Sequence, residues 1–228
     1  MIKIQNLRKS FQRPGEAALN VLDDLDFSVD EGEFVAIVGT SGSGKTTLMN
    51  ILGLLDRPDS GDYELHGKQV AKLSPEQRAK VRNEAIGFVF QQFHLLPKTT
   101  ATENVELPML YSSRSDADIR RRARETLCRV GLEDRLTHYP SELSGGQQQR
   151  VAIARAIVND PAVVLADEPT GNLDQKSSEQ IMDLFREINR NGSTILLITH
   201  DHAVARAASR TVVIENGQLT EAITRVAS

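Results

Sequence analysis

The stretch "EFVAIVGTSGSGKTTLMNIL" (Glu33–Leu52) constrains this chain more than any other. Phe34–Val38 is an almost continuous apolar run, which reads as a strand buried on both faces and so as part of a parallel sheet. A helical pattern follows from Lys45 to Leu55. Between them, Gly39–Thr46 fits G-x-x-x-x-G-K-[ST], and strand, glycine-rich loop and helix form the context that gives this pattern its meaning. Across Gly39, Thr40, Ser41, Gly42, Ser43 and Gly44, backbone N–H groups can converge on phosphate oxygens. The helix N-terminus adds a favourable dipole. Lys45 can reach the β- and γ-phosphates of a nucleoside triphosphate, the Thr46 hydroxyl suits Mg²⁺, and Thr47 extends the cradle. The bland alternative is a glycine-rich turn, and the full set of fixed positions argues against it. The pattern specifies triphosphate binding without specifying an activity.

The rest of the chain supplies a matching scaffold. "IKIQNL" alternates, as do Leu25, Phe27 and Val29, so the N-terminal region reads as β. "GDYELHGKQV" reads as a short strand with a turn at Gly67. From Ser74 to about Asn159 the pattern is mostly helical, interrupted by a strand at "AIGFVFQ". "AVVLAD" and "TILLITH" are further buried strands, with a helix over about Gln175–Asn191 between them, which is β–α–β order and implies a parallel sheet. "TVVIENGQLTEA" reads as a hairpin turning at Asn216-Gly217.

Two carboxylates, Asp167 and Glu168, close the strand "AVVLAD". Ligands of open α/β sheets gather at that strand end. Asp167 suits Mg²⁺, held through water, and Glu168 suits a base acting on an attacking water. His200 ends "TILLITH" and Gln91 ends "IGFVFQ". Either residue alone reads as a polar strand terminus. If its strand adjoins the acid strand, His200 reaches the γ-phosphate side of the site, and Gln91 can bridge Mg²⁺ and the attacking water.

A second glycine-bearing helix start lies downstream in "ELSGGQQQR". Ser144 with Gln147 is a capping box, S-x-x-Q, and Val151, Ile153, Ala154, Ile157 and Val158 supply a buried face. Capping accounts for Ser144 and Gln147. It does not account for Gly145 and Gly146, each of which costs roughly 1 kcal/mol against alanine inside a helix. Two missing Cβ atoms at the positive end of a helix describe an anion site. On this reading the glycines are there because a phosphate comes close.

The 228 residues are 39% hydrophobic and 25% charged, with a net charge of −4, which argues against a nucleic-acid footprint. The densest basic run, Arg120, Arg121, Arg122 and Arg124, reads as a solvated helix face. The lone cysteine, Cys128, falls in a helical pattern with Ala123, Leu127 and Val130 and is expected as a small core residue. The stretch "MIKIQNLRKSF" has no apolar h-region, and no apolar run approaches the roughly 20 residues that span a bilayer, so a cytoplasmic chain is expected.

In this order and spacing, "GTSGSGKT", Gln91, "LSGGQ", "VVLADE", "GNLD" and His200 closely resemble the nucleotide-binding cassette of ABC transporters over essentially the whole chain. The resemblance implies an ATPase using ATP and Mg²⁺ on a P-loop NTPase, RecA-like, parallel-sheet core. An N-terminal antiparallel β subdomain and an inserted helical subdomain complete the α/β fold. Within a single domain, about 1–91 and 160–228 would form the β and core parts and about 92–159 the helical part. The resemblance further implies a head-to-tail homodimer formed on ATP binding. Ser144, Gly145 and Gly146 of one copy would meet the γ-phosphate held by the other, and Asp174 would lie at the interface. Phe11 would stack on adenine, although the family usually has tyrosine there and "RPGE" follows like an insertion. "GNLD" departs from the usual Ser-Ala-Leu-Asp, so only Leu173 and Asp174 transfer firmly.

"LMNILGLLDRPDSG", "IGFVFQQFHLLP" and "TATENVELPMLY" resemble the subfamily of MacB-type macrolide and antimicrobial-peptide exporters and LolD-type lipoprotein-releasing ATPases. That implies a separate transmembrane permease, in some systems joined by a periplasmic adaptor, with the chain peripheral on the inner face of the membrane. Phe93, Leu95 and Leu96 would either touch the permease or pack internally. An FtsE-type division ATPase, paired with a membrane protein without transport, shares the same short plan. A GTPase is disfavoured, because no N-K-x-D guanine motif is present.

Overall fold

Strand β3 (Phe34–Val38) carries aliphatic or aromatic side chains at every position, all buried, and it lies in the middle of the larger of two sheets. The computed structural model describes residues 1–12, 15 and 18–221. The smaller sheet is antiparallel and holds β1 (Ile2–Phe11), β2 (Leu19–Val29), β4 (Ser60–Leu65) and β5 (Lys68–Gln69) in the order β2-β1-β4-β5. The larger holds β3 with β6 (Ile86–Phe90), β7 (Val163–Asp167), β8 (Thr194–Thr199), β9 (Arg210–Glu215) and β10 (Gln218–Glu221) in the order β10-β9-β3-β8-β7-β6. All its pairings are parallel except that of β10 with β9. Asn216 and Gly217 both take positive φ at the hairpin between those last two strands, as an Asn-Gly turn requires.

The helices are α1 (Lys45–Leu52), α2 (Pro75–Ala85), α3 (Ala101–Glu106), α4 (Asp116–Arg129), α5 (Gly145–Ile157), α6 (Gln175–Arg190) and the short α7 (His202–Ala205). The central strands bury both faces. Phe34, Ala36 and Val38 of β3 join one core with α3 to α6, while Val35 and Ile37 join another with α1 and the antiparallel sheet. Strands β7 and β8 divide in the same way, Ala166 and Leu197 to the first core and Leu165 and Leu196 to the second. This two-sided burial is why they read as unbroken apolar runs.

Helix α1 stops at Leu52, short of the Leu55 expected from the pattern, because Gly53 forms the C-cap and Leu54 turns to φ 55°. The carbonyl of Leu52 accepts a hydrogen bond from the buried Tyr63 hydroxyl at 2.7 Å, so β4 satisfies one end of the helix that follows the phosphate loop. Burial holds the phenol well above its ordinary pKa. Tyr63→Phe leaves that carbonyl buried without its partner and is expected to cost about 1–3 kcal/mol in urea unfolding.

Cys128 is exposed, contrary to the expectation from sequence. The buried stripe of α4 is Ile119, Ala123, Thr126 and Leu127, and the next residue along a helix turns about 100° away from it. Arg120, Arg121 and Arg124 do face solvent, while Arg122 is half-buried and donates to the Val158 carbonyl and Asp160.

Candidate functional site

The sheet order brings the candidate residues to one edge. β8 lies between β3 and β7, so the segments after all three strands are neighbours, and Phe90 pairs with Asp167, which puts Gln91 beside Glu168. The adjacency on which the reading of His200 depended is therefore present.

After β3, Gly42 and Gly44 take φ 81° and 104°. A Cβ on Gly44 would lie 2.9 Å from the Val21 carbonyl and one on Gly39 2.5 Å from the Ile214 carbonyl, so the base of the loop is pressed onto β2 and β9. Thr40, Ser41 and Gly42 form an exposed rim. Helices α2, α3, α4, α5 and α6 each start with a side-chain cap, whereas α1 has none and no acidic residue in its first turn. Its first N–H groups are free for an anion, as a phosphate cradle needs. Lys45 Nζ donates to the Gly39 and Thr40 carbonyls at 2.8 and 2.7 Å, which holds the ammonium over the loop. The Ser43 hydroxyl is buried without a hydrogen-bond partner, an orphan inside the cradle.

Asp167 ends β7 half-buried. Burial, and then the neighbouring Glu168 charge, push its pKa up against the pull of Lys45. A carboxylate under that load gains from a cation. Among the described residues no group of three or more His, Cys, Asp or Glu could hold a metal by itself. Asp167, the Thr46 hydroxyl and the Gln91 side-chain carbonyl are oxygen donors of the kind that Mg²⁺ takes when phosphates complete its shell. The residues present therefore fit ATP with Mg²⁺.

Glu168 sits at φ 45°, an uncommon conformation for a non-glycine residue. Its N–H donates to the Ile198 carbonyl at 2.8 Å and its own carbonyl accepts from Gly171 at 3.0 Å. Its carboxylate accepts from the Thr199 hydroxyl at 3.0 Å and the His200 N–H at 2.8 Å, and it pairs with His200 Nδ1 at 2.5 Å. The side chain is only 18% exposed, so these partners fix its direction. Sequence reasoning passed over Thr199. The available signal was a hydroxyl closing an otherwise aliphatic strand.

The signature segment is built as the capping box requires. Ser144 Oγ accepts from Gln147 N at 3.3 Å, and Gln147 Oε1 accepts from Ser144 N at 2.9 Å. The two glycines have a reason inside the chain that the sequence reading did not foresee. A Cβ on Gly145 would lie 3.3 Å from Leu173, and one on Gly146 would lie 3.2 Å from the Ser177 hydroxyl. Helix α5 approaches the "GNLD" segment and α6 closely enough that a Cβ at either position would press on a neighbouring side chain, so packing is a second explanation for the glycines beside an approaching phosphate. Asp174 is the N-cap of α6, accepting from Ser177 N at 3.0 Å and Ser177 Oγ at 2.6 Å, and these bonds lower its pKa. The fully buried Gln149 donates to the Phe90 and Pro169 carbonyls at 3.3 and 2.6 Å, tying α5 to the chain next to Gln91 and Glu168.

Phe11 is 46% exposed at the end of β1 with Lys9 Nζ 5.2 Å from its ring centroid, while Arg13, Pro14 and Glu16 of "RPGE" lie outside the described residues. Leu95 packs against the core, and Leu96 is exposed. The apolar groove nearby, about 900 Å³, is lined instead by Phe88, Phe90, His94, Leu107 and Tyr111.

The ABC transporter family model matches residues 22–171. The chain is 52% identical to the ABC transporter ATP-binding protein YknY of Bacillus subtilis (strain 168), over 97% of this chain and 96% of that one. It is 53% identical to the macrolide export ATP-binding/permease protein MacB of Syntrophobacter fumaroxidans, over 95% of this chain but 31% of that protein. It superposes with a TM-score of 0.87 and 42% identity on a dimeric post-hydrolysis structure of the ATP-binding cassette MJ0796 bound to ADP and Pi, over 97% of this chain and 98% of that one. The fold is that of a RecA-like ABC cassette with an N-terminal antiparallel sheet and helical insertions, and the activity is ATP hydrolysis with Mg²⁺. With the loop after β3, the acid pair after β7 and the capped signature helix all within or abutting the matched span, this chain belongs to the ABC transporter family.

Proposed function

We propose that two copies of this chain pack head to tail, hydrolyse ATP at two composite sites and drive a separate membrane permease in export. The observation that carries the hydrolytic part is the Glu168 carboxylate, aimed by Thr199 and His200 on the strand next to the phosphate loop. The dimeric cassette MJ0796 supports the pairing. The names of the MacB relatives join ATP binding, permease and macrolide export in one protein, of which this chain spans about a third. Macrolide, peptide and lipoprotein cargo all remain compatible with a cassette of this kind. Among the described residues no helix is long and apolar enough to cross a membrane, so in this reading the permease provides the span.

In this mechanism the loop from Gly39 to Thr47 and Lys45 bind the triphosphate, and Phe11 stacks on adenine. Thr46, Gln91 and Asp167 would hold Mg²⁺, Asp167 through water. Mg²⁺, when bound, neutralises charge on the phosphate oxygens. Glu168 takes a proton from the attacking water. His200 holds the carboxylate through Nδ1 and turns its other ring nitrogen to the γ-phosphate side. Ser144, Gly145 and Gly146 of the second copy close over that phosphate, with its Asp174 alongside. Loss of the γ-phosphate removes what the second copy was holding, so the dimer opens and the permease changes state. We also assign about 92–159 as the helical unit that presents the signature.

The test is concentration. If both copies complete each site, ATP turnover per chain rises with chain concentration below the dimerisation constant, because the population of dimer follows mass action. Turnover per chain that stays flat from nanomolar to micromolar chain, with the protein monomeric throughout, would overturn the composite site.

A further inference from the structure

Gln91 is held by the segment that follows β7. The Asn172 amide nitrogen donates to the Gln91 main-chain carbonyl at 3.0 Å, and the Gln91 side-chain amide donates back to Asn172 Oδ1 at 3.3 Å. A main-chain carbonyl can only accept, so Asn172 must present its NH₂ group there. Its Oδ1 is then left facing the Gln91 side chain, which must answer with its own NH₂. The main chain thereby fixes the orientation of both amides. The preceding residue makes room for the pair: a Cβ on Gly171 would lie 2.7 Å from Gln91 Nε2 and 3.0 Å from its Cδ. The departure from the usual family segment, Gly171-Asn172, is thus fitted to one side chain.

The same segment reaches the other parts of the site. Gly171 N donates to the Glu168 carbonyl, Leu173 packs toward Gly145 at the start of α5, and Asp174 caps α6. On the opposite side of Gln91, Gln149 holds the Phe90 carbonyl. Consecutive carbonyls, at residues 90 and 91, are therefore gripped by amides from two different elements. Gln149 is fully buried and fixed, whereas Asn172 is exposed and free to respond.

We propose that Asn172 is a positioning residue for hydrolysis: its side chain sets the orientation of the Gln91 amide, and through it the segment at the copy-to-copy interface is coupled to the metal side of the site. This rests on the reading of Gln91 as the residue bridging Mg²⁺ and the attacking water. Because Asn172 touches the chemistry only through Gln91, its effect must vanish when the Gln91 side chain is gone. A double-mutant cycle separates that from a general loosening of the loop.

The experiment uses the full chain with Mg-ATP at saturating chain concentration and compares Asn172→Ala, Asn172→Asp, Gln91→Ala and the Asn172→Ala/Gln91→Ala pair. Asn172→Ala is expected to lower kcat about tenfold, a loss of roughly 1.4 kcal/mol of barrier stabilisation, with KM for ATP within about twofold. Asn172→Asp keeps the acceptor for Gln91 Nε2 but loses the donor to its carbonyl, and is expected to fall between Asn172→Ala and the unaltered chain. The pair is expected to turn over no more slowly than Gln91→Ala alone. Unchanged kcat in Asn172→Ala, or a pair slowed by the full product of the two single effects, overturns the proposal. If Gln91→Ala is slow while Asn172→Ala is not, this proposal alone fails. If Gln91→Ala turns over normally, the reading of Gln91 fails and the proposal falls with it.

Discussion

Glu168→Gln is expected to slow ATP turnover at least about a hundredfold while Mg-ATP binding survives, because a positioned general base contributes about 10²–10⁴-fold. The substitution is nearly isosteric. The side-chain amide oxygen can still accept from the His200 N–H, and the NH₂ that takes the place of the other oxygen can donate to the Thr199 hydroxyl, so the constellation after β8 keeps its shape. What is lost is a group able to take a proton from water. The binding side gains slightly. The Glu168 charge is one of the two causes that raise the pKa of Asp167, so removing it returns that carboxylate toward its ionised, cation-binding form. The variant should therefore hold Mg-ATP and accumulate as a dimer on size exclusion, since what normally reopens the pair is loss of the γ-phosphate. Turnover within about threefold of the unaltered chain would remove Glu168 from the role of base. Fast turnover in Glu168→Gln together with slow turnover in His200→Ala would move that role to the imidazole.

Much of the hydrolytic edge was legible from sequence because its parts are local. A loop that must follow a buried strand and open a helix announces itself within 20 consecutive residues, from Glu33 to Leu52. Strands β3, β7 and β8 are buried on both faces by separate cores, and that burial leaves unbroken apolar runs whose last residues mark the ligand edge. Contacts set by tertiary approach were not legible. Thr199 looks like an ordinary strand residue until β8 is seen beside Glu168. Gly171 has no unusual φ, and only the position of Gln91, 80 residues away in sequence, explains its missing Cβ. Asn172 looked like a departure from a pattern, and the structure gives it two hydrogen bonds. Cys128 was misread for a related reason. A helical pattern gives the period of the buried stripe but not its edges, and the residue after Leu127 lies past that edge.

Gly146→Asp separates the two explanations for the signature glycines, because they predict opposite outcomes for stability and activity. Gly146 is the second residue of α5, where the Ser144 side chain caps and the first turn carries no acidic group. A carboxylate there favours the isolated helix by about 0.3–1 kcal/mol through the dipole, and replacing glycine adds up to roughly 1 kcal/mol of helix propensity. Against this stands a Cβ 3.2 Å from the Ser177 hydroxyl, an atom at the tip of a side chain on the next helix that can give by a few tenths of an ångström. The net stability of the single chain should change by less than about 1 kcal/mol, and nucleotide binding at the Lys45 loop should stay within about twofold, since that site lies on another element. Composite-site function should not survive. A carboxylate facing the γ-phosphate of the other copy sets like charges against each other at a cost of several kcal/mol. Hydrolysis should fall at least about a hundredfold, each factor of ten corresponding to about 1.4 kcal/mol. ATP-driven dimers should be absent even when Glu168→Gln is added to trap them. If the glycines serve only the packing against Leu173 and Ser177, Gly146→Asp should unfold more easily and lose activity only in proportion to the folded fraction. Gly146→Ala, which adds the Cβ without the charge, should then behave almost as badly. An alanine variant that still dimerises and hydrolyses, beside an aspartate variant that is folded, nucleotide-loaded and silent, is the result expected if the negative charge meets a phosphate.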